Sequence, residues 1–133
     1  MAVVQILSDD AAGASALAVF DDIRAKRQTD YVNNFWRALA TDPALLSATW
    51  DRLQAVMAPG ALDPLTKELI YIAVSVANGC GYCIHSHTAS ARARGMSDAQ
   101  HGELMAVIGL AAQTNHLVTA MQVPVDPEFL IKG

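Results

Sequence analysis

The chain has 133 residues, 53% of them hydrophobic and only 17% charged, with a net charge of −4 from 9 Lys+Arg against 13 Asp+Glu. That composition excludes a disordered chain. The absence of any basic cluster speaks against nucleic acid and against an anionic membrane surface as partner. The length fits a single domain over residues 1–133, and the hydrophobic share is high for a small monomer, so a homo-oligomer is expected.

The N-terminus, Met1 to Asp10, carries no basic residue before its short apolar run, so no secretory signal is expected. Helical signals then repeat along the chain, and no run alternates apolar and polar residues as a strand would. Ala11–Arg27 is rich in Ala and Leu, with Leu17, Phe20 and Ile23 at helical spacing. Tyr31–Ala40 is a short amphipathic piece holding Phe35, Trp36 and Leu39. Thr41-Asp42-Pro43 starts a helix, with a capping oxygen followed by proline at the first helical position. Its stripe runs through Leu45, Leu46, Thr49, Leu53 and Val56 and stops before Pro59-Gly60. Asp63-Pro64 repeats the start signal for Pro64–Ala77, which is apolar nearly all round and is expected to be buried on most sides. Asn78-Gly79 breaks it, and a helix from about Gly81 to Arg94 follows, closed by Gly95. Ser97 and Gln100 form a capping-box pattern that opens a last helical region to about Met121, which Gly102 and Gly109 are candidates to kink or divide.

Pro124 and Pro127 mark an irregular tail. The uncharged stretches 69–91 and 104–125 are broken by Asn78, Gly79, Gly81, His85 and His87, and by Gln113 to His116 and Thr119, respectively. Neither is expected to span a bilayer. The expectation is an all-α, single-domain bundle of about six helices in a soluble, cytoplasmic protein.

The chemistry concentrates in residues 68–87. Cys80 and Cys83 are the two cysteines of the chain and form one Cys-x-x-Cys. In a reducing compartment such a pair is more often catalytic or metal-binding than structural. Both fall in the first turn of a helix, where unpaired N–H groups and the macrodipole favour a thiolate. His87 follows Cys83 by one helical turn and shares its face. Glu68 comes from the preceding helix. If Asn78-Gly79 reverses the chain, Glu68 lies about 15 Å back along one axis and His87 about 10 Å along the other, roughly level. The order Glu68–His87–Cys83 then reads as a carboxylate that orients an imidazole, which takes the thiol proton.

This segment resembles the alkylhydroperoxidase AhpD-like group of the carboxymuconolactone decarboxylase superfamily, whose motif is Glu-x11-Cys-x2-Cys-x3-His. Glu68, Cys80, Cys83 and His87 match it position for position. The flanks are similar too, from Pro59 to Glu68 before it and through Arg94-Gly95-Met96-Ser97 after it, so that the resemblance covers about residues 30–125.

The resemblance implies an all-helical AhpD-like fold assembled as a homotrimer or homohexamer. It implies a thiol-dependent peroxidase or disulfide reductase without metal or organic cofactor. Cys83 would attack an alkyl or hydrogen peroxide and Cys80 would resolve it as a disulfide. His87 and Glu68 would relay protons, and an external dithiol, lipoyl-bearing or thioredoxin-like, would reduce the pair. Some members carry a histidine within the Cys-x-x-Cys, where this chain has Gly81-Tyr82. Members named for decarboxylation generally lack the cysteine pair, which disfavours that activity.

Other readings stand beside this one. The pair could be buried and inert, or could join His87 and Glu68 in a zinc shell, giving a non-catalytic redox-sensing or metal-binding helical module. Glu68 could be a surface carboxylate paired with Lys67 or Arg52, and His87 a satisfied core histidine. His85 reads as structural or exposed and His101 as surface. His116 reads as part of a subunit contact or as lining the approach to the thiols from a neighbouring chain, the contact being favoured. Tyr82 reads as packing, with gating of the pocket as its alternative. Phe35, Trp36 and Trp50 read as core or interface.

Overall fold

The structure, a computed structural model, describes residues 1–131 and 133. It is all-helical, with six α-helices and no strand among the described residues: α1 Ala14–Arg27, α2 Asn34–Leu39, α3 Pro43–Met57, α4 Pro64–Ala77, α5 Gly81–Ala93 and α6 Asp98–Met121, followed by a 3-10 turn at Pro127–Phe129. The helices fall into two compact units, Met1–Ala58 and Pro59–Gly133.

In the first unit, α1 starts three residues later than the sequence suggests. Ala11 and Ala12 instead turn back on Ser8 through N–H bonds of 3.2 and 2.9 Å to its carbonyl, and Gly13 stands extended as the cap. α2 likewise begins after Asn33, an extended cap, which leaves Tyr31 and Val32 outside the helix. The N-terminus of α3 follows the sequence signal: the Asp42 carboxylate accepts from the Leu45 N–H at 3.1 Å, and Pro43 opens the helix.

Phe20, Ile23, Val32, Trp36, Leu46 and Trp50 form a dry core. Full burial of each large side chain contributes about 1.5–3 kcal/mol. Trp36 and Trp50 meet edge to face, with centroids 5.2 Å apart, and Arg27 lies over both rings. The segment before α1 is tied down by Arg37, whose carbonyl accepts the Leu7 N–H at 3.3 Å and whose guanidinium donates to the Leu7 carbonyl at 2.9 Å. Arg37 and Arg24 also share the Asp9 carboxylate, at 3.0 and 2.6 Å. Desolvation opposes ionisation of Asp9, yet the bonds from Arg24 and Arg37 outweigh it and hold the carboxyl below its ordinary value.

In the second unit, α4 and α5 form a hairpin. Asp63 caps α4 through the Thr66 N–H at 2.9 Å and its hydroxyl at 2.7 Å, and those two bonds hold its carboxyl below the ordinary value. The reversal is a Schellman motif: Gly79 has φ +68, its N–H reaches the Val76 carbonyl at 3.1 Å, and the Cys80 N–H reaches the Ser75 carbonyl at 2.9 Å. The end of α5 repeats the motif, with Gly95 at φ +92 donating to Arg92 and Met96 donating to Ala91, both at 3.0 Å. Both glycines occupy left-handed backbone that a Cβ would penalise. Met96 and Ala91 join Ile72 in this unit's small core.

The Ser97–Gln100 capping box forms as expected, and α6 then runs as one unbroken helix through Gly102 and Gly109. One expectation is corrected here. α4 is not buried on most sides: it buries Glu68, Ile72 and Ser75, whereas Ile70, Tyr71 and Val74 are exposed. α6, which overlaps the stretch set aside as too polar, is long and apolar enough by length and composition to cross a membrane, and none of its residues is buried. Over an 18-residue stretch of the helix, apolar positions outweigh the polar ones.

Candidate active site

Cys80 stands at a junction. It ends the reversal after α4 and is also the N-cap of α5, where its sulfur accepts the Cys83 N–H at 3.2 Å. Its backbone is therefore fixed from α4 and its side chain from α5. Cys83 occupies the first turn of α5, and the two sulfurs are joined as a disulfide with Cα atoms 5.3 Å apart. Both residues are partly buried, and Tyr82 between them is half exposed rather than packed away. The Cys83 carbonyl accepts from the Ser86 hydroxyl at 3.2 Å.

His87 lies one turn beyond Cys83, a separation that puts the two Cβ atoms about 5–6 Å apart on one face. Its Nδ1–H donates to Glu68 Oε2 at 2.7 Å. Glu68 is only 4% exposed, so the surface reading of this carboxylate is overturned. A carboxylate buried this deeply is costly without partners. Here His87 supplies one across the hairpin, and Arg94 brings its Nε to 3.6 Å from the other oxygen. An acceptor at Nδ1 fixes the imidazole tautomer and leaves Nε2 as the nitrogen able to take a proton.

Of the four residues singled out in the sequence, the structure thus joins Glu68 to His87 and Cys80 to Cys83, and α5 carries His87 and Cys83 on a common face. His85 is exposed and bonds the Gly81 carbonyl through Nδ1 at 2.8 Å. His116 is exposed on α6. Among the described residues, no three His, Cys, Asp or Glu side chains converge as a metal-binding group. An open cavity of about 490 Å³ lies in the first unit, and its Arg24 and Arg37 are already engaged by Asp9.

Two neighbours of the site were missed from the sequence. Tyr71 stacks on the His87 ring, with centroids 3.6 Å apart and planes inclined by 20°. Its position three residues after Glu68 on one helix was the available signal. Arg94, at the end of α5, brings its guanidinium to Glu68.

The fold is thus all-helical, with a hairpin that presents a disulfide-joined Cys-x-x-Cys at a helix start beside a carboxylate–imidazole pair. Residues 43–126 match the family model described as the carboxymuconolactone decarboxylase family, and the chain belongs to that family, on its AhpD-like side. It is 61% identical to the alkylhydroperoxidase AhpD core from Rhodospirillum rubrum, a crystal structure, with a TM-score of 0.96 over 99% of each chain. It is 33% identical over 92 residues to an alkyl hydroperoxide reductase AhpD of Solibacter usitatus, covering 69% of this chain and 50% of that protein. It is 35% identical over 107 residues to another of that name from Azorhizobium caulinodans, covering 74% and 56%. The chain spans about half the length of these curated relatives.

Proposed function

We propose that this chain is a thiol-dependent hydroperoxide reductase that cycles between a dithiol and the Cys80–Cys83 disulfide. The observation that carries the reading is the 2.7 Å bond from His87 Nδ1 to the buried Glu68 carboxylate, one turn from Cys83. That bond leaves Nε2 as the base for the thiol. The Cys83 thiolate attacks the distal peroxide oxygen, the O–O bond breaks, and the leaving alkoxide takes the proton held by His87. Cys83 becomes a sulfenic acid and the alcohol departs. The Cys80 sulfur then displaces hydroxide, which leaves as water, and the disulfide forms. An external dithiol, lipoyl-bearing or thioredoxin-like, returns two electrons and two protons. No metal or organic cofactor takes part. The family name supports the fold and not a decarboxylation, since these residues supply redox-active sulfur.

The reading treats residues 1–133 as one AhpD-like domain acting in the cytoplasm, a compartment that keeps thiols reduced. It also includes a homotrimer or homohexamer. What supports assembly is the unburied apolar surface of α6, with Val107, Leu110, Leu117, Val118 and Met121 all about half exposed or more, together with Ile70 and Val74 of α4. A second copy suits α6 better than lipid, because Gln113, Asn115 and His116 at mid-helix need polar partners.

One equivalent of an alkyl hydroperoxide should consume two thiols of the reduced protein, and added dithiol should give turnover. Cys83→Ser should abolish peroxide consumption, whereas Cys80→Ser should allow one turnover and leave a trappable sulfenic acid. Thiol loss without turnover would favour a redox sensor, and stoichiometric zinc in untagged protein a metal-binding module.

A further inference from the structure

The His87 imidazole is bounded on two sides by α4. Glu68 takes its Nδ1–H along an edge at 2.7 Å. Tyr71, on the same face of α4, lies flat against the ring at 3.6 Å between centroids. Resting on the peroxidase reading above, we propose that Tyr71 is a positioning residue for His87, whose ring holds the imidazole in the one plane that keeps Nδ1 on Glu68 and Nε2 free for the sulfur.

A single hydrogen bond leaves the imidazole free to swing, because the torsion at a histidine ring is broad. A flat wall in contact with one face removes that freedom at little cost, since stacking is itself favourable. The wall also keeps water from that face: the His87 side chain is 16% exposed, although the site lies beside open surface. A drier Nδ1–Oε2 bond is a stronger one.

Tyr71 is itself held in place. Its carbonyl accepts from the hydroxyl of buried Ser75 at 2.7 Å, and the Ser75 carbonyl accepts the Cys80 N–H at 2.9 Å. One short chain of bonds thus runs from the stacking residue to the first cysteine. The phenolic hydroxyl makes no hydrogen bond among the described residues, so the role belongs to the ring and not to its oxygen. Catalytic groups held within about 10–20° of their working geometry need such supports.

The test compares wild type, Tyr71→Phe and Tyr71→Leu. Steady-state turnover is measured with an alkyl hydroperoxide and dithiothreitol. Long-range proton–nitrogen NMR of His87 is recorded on the oxidised protein at about pH 8, where a free imidazole is neutral. Tyr71→Phe should match wild type in kcat and in the His87 nitrogen shifts. Tyr71→Leu should lose about threefold to tenfold in kcat with KM little changed, and its two ring nitrogens should move toward tautomer-averaged values while helix content is kept.

A Tyr71→Leu protein with wild-type kcat and unaltered nitrogen shifts overturns the proposal, as does a Tyr71→Phe protein as impaired as Tyr71→Leu. Should Tyr71→Leu fail to fold, wild type alone decides. Stacking moves the His87 ring protons upfield of a free imidazole, and unshifted protons overturn the proposal. Wild type without turnover would instead defeat the peroxidase reading, and the NMR comparison would still judge Tyr71.

Discussion

The two units use burial differently. In Met1–Ala58 the buried side chains are aliphatic or aromatic, and the carboxylates of Asp9 and Asp22 stay at the margin, paired with Arg24, Arg37 and Lys26. In Pro59–Gly133 the apolar core is small, Ile72, Ala91 and Met96, and two of the buried residues are polar, Glu68 and Ser75. The first unit spends its helices on packing. The second places a carboxylate in its interior, fixes a cysteine at a helix junction and leaves apolar faces of α4 and α6 uncovered. The contrast teaches that the main apolar core and the candidate site draw on different stretches of this chain, so substitutions should sort by unit.

The largest expected effect is in the second unit. Glu68→Gln keeps the volume but replaces the acceptor for His87 Nδ1, and should lower kcat for peroxide turnover by about 10²-fold or more, with helical circular dichroism nearly unchanged. Turnover at the wild-type rate would remove the buried pair from the mechanism and erase the contrast.

Next comes Leu46→Ala in the first unit. Its side chain is fully buried, so the truncation should cost about 2–5 kcal/mol in chemical denaturation. Turnover per folded molecule should stay at the wild-type value. A kcat per folded molecule that falls together with stability would erase the contrast.

The smallest effect concerns acid. Hydrogen bonds from Trp50 first, then Lys26, hold the Asp22 carboxyl below its ordinary value of 3.8. A carboxyl lowered on folding stabilises the protein above its unfolded value, and that contribution is lost as pH falls below about 3.8 through the lower folded value. Asp22→Asn should therefore flatten the loss of stability below about pH 4, read by tryptophan fluorescence because the Trp50 indole N–H donates to Asp22 at 2.7 Å. An unchanged acid profile would assign that loss to other carboxyls, Asp9 first.

Local signals were legible without coordinates. Asp42-Pro43, Asp63-Pro64 and the Ser97–Gln100 box each start a helix where expected, because a cap depends on residues within one turn. Asn78-Gly79 and Gly95 end helices for the same reason. The boundaries that slipped, at α1 and α2, lie where Gly13 and Asn33 stand extended without any side-chain capping bond to mark them. The exposure of α4 was misread because hydropathy reports what a helix would bury, not what is present to cover it.

The spacing of Glu68, Cys80, Cys83 and His87 by itself set which residues belong to the candidate site, since three of the four lie on or at the cap of one short helix and the fourth a fixed number of residues before a glycine turn. Only the tertiary structure decided that Glu68 is buried, that Arg94 shares its carboxylate and that Tyr71 lies against the imidazole. Those facts depend on how α4 and α5 are rotated about their own axes when they pack. Many residues settle that angle jointly, and no single stretch of sequence encodes it.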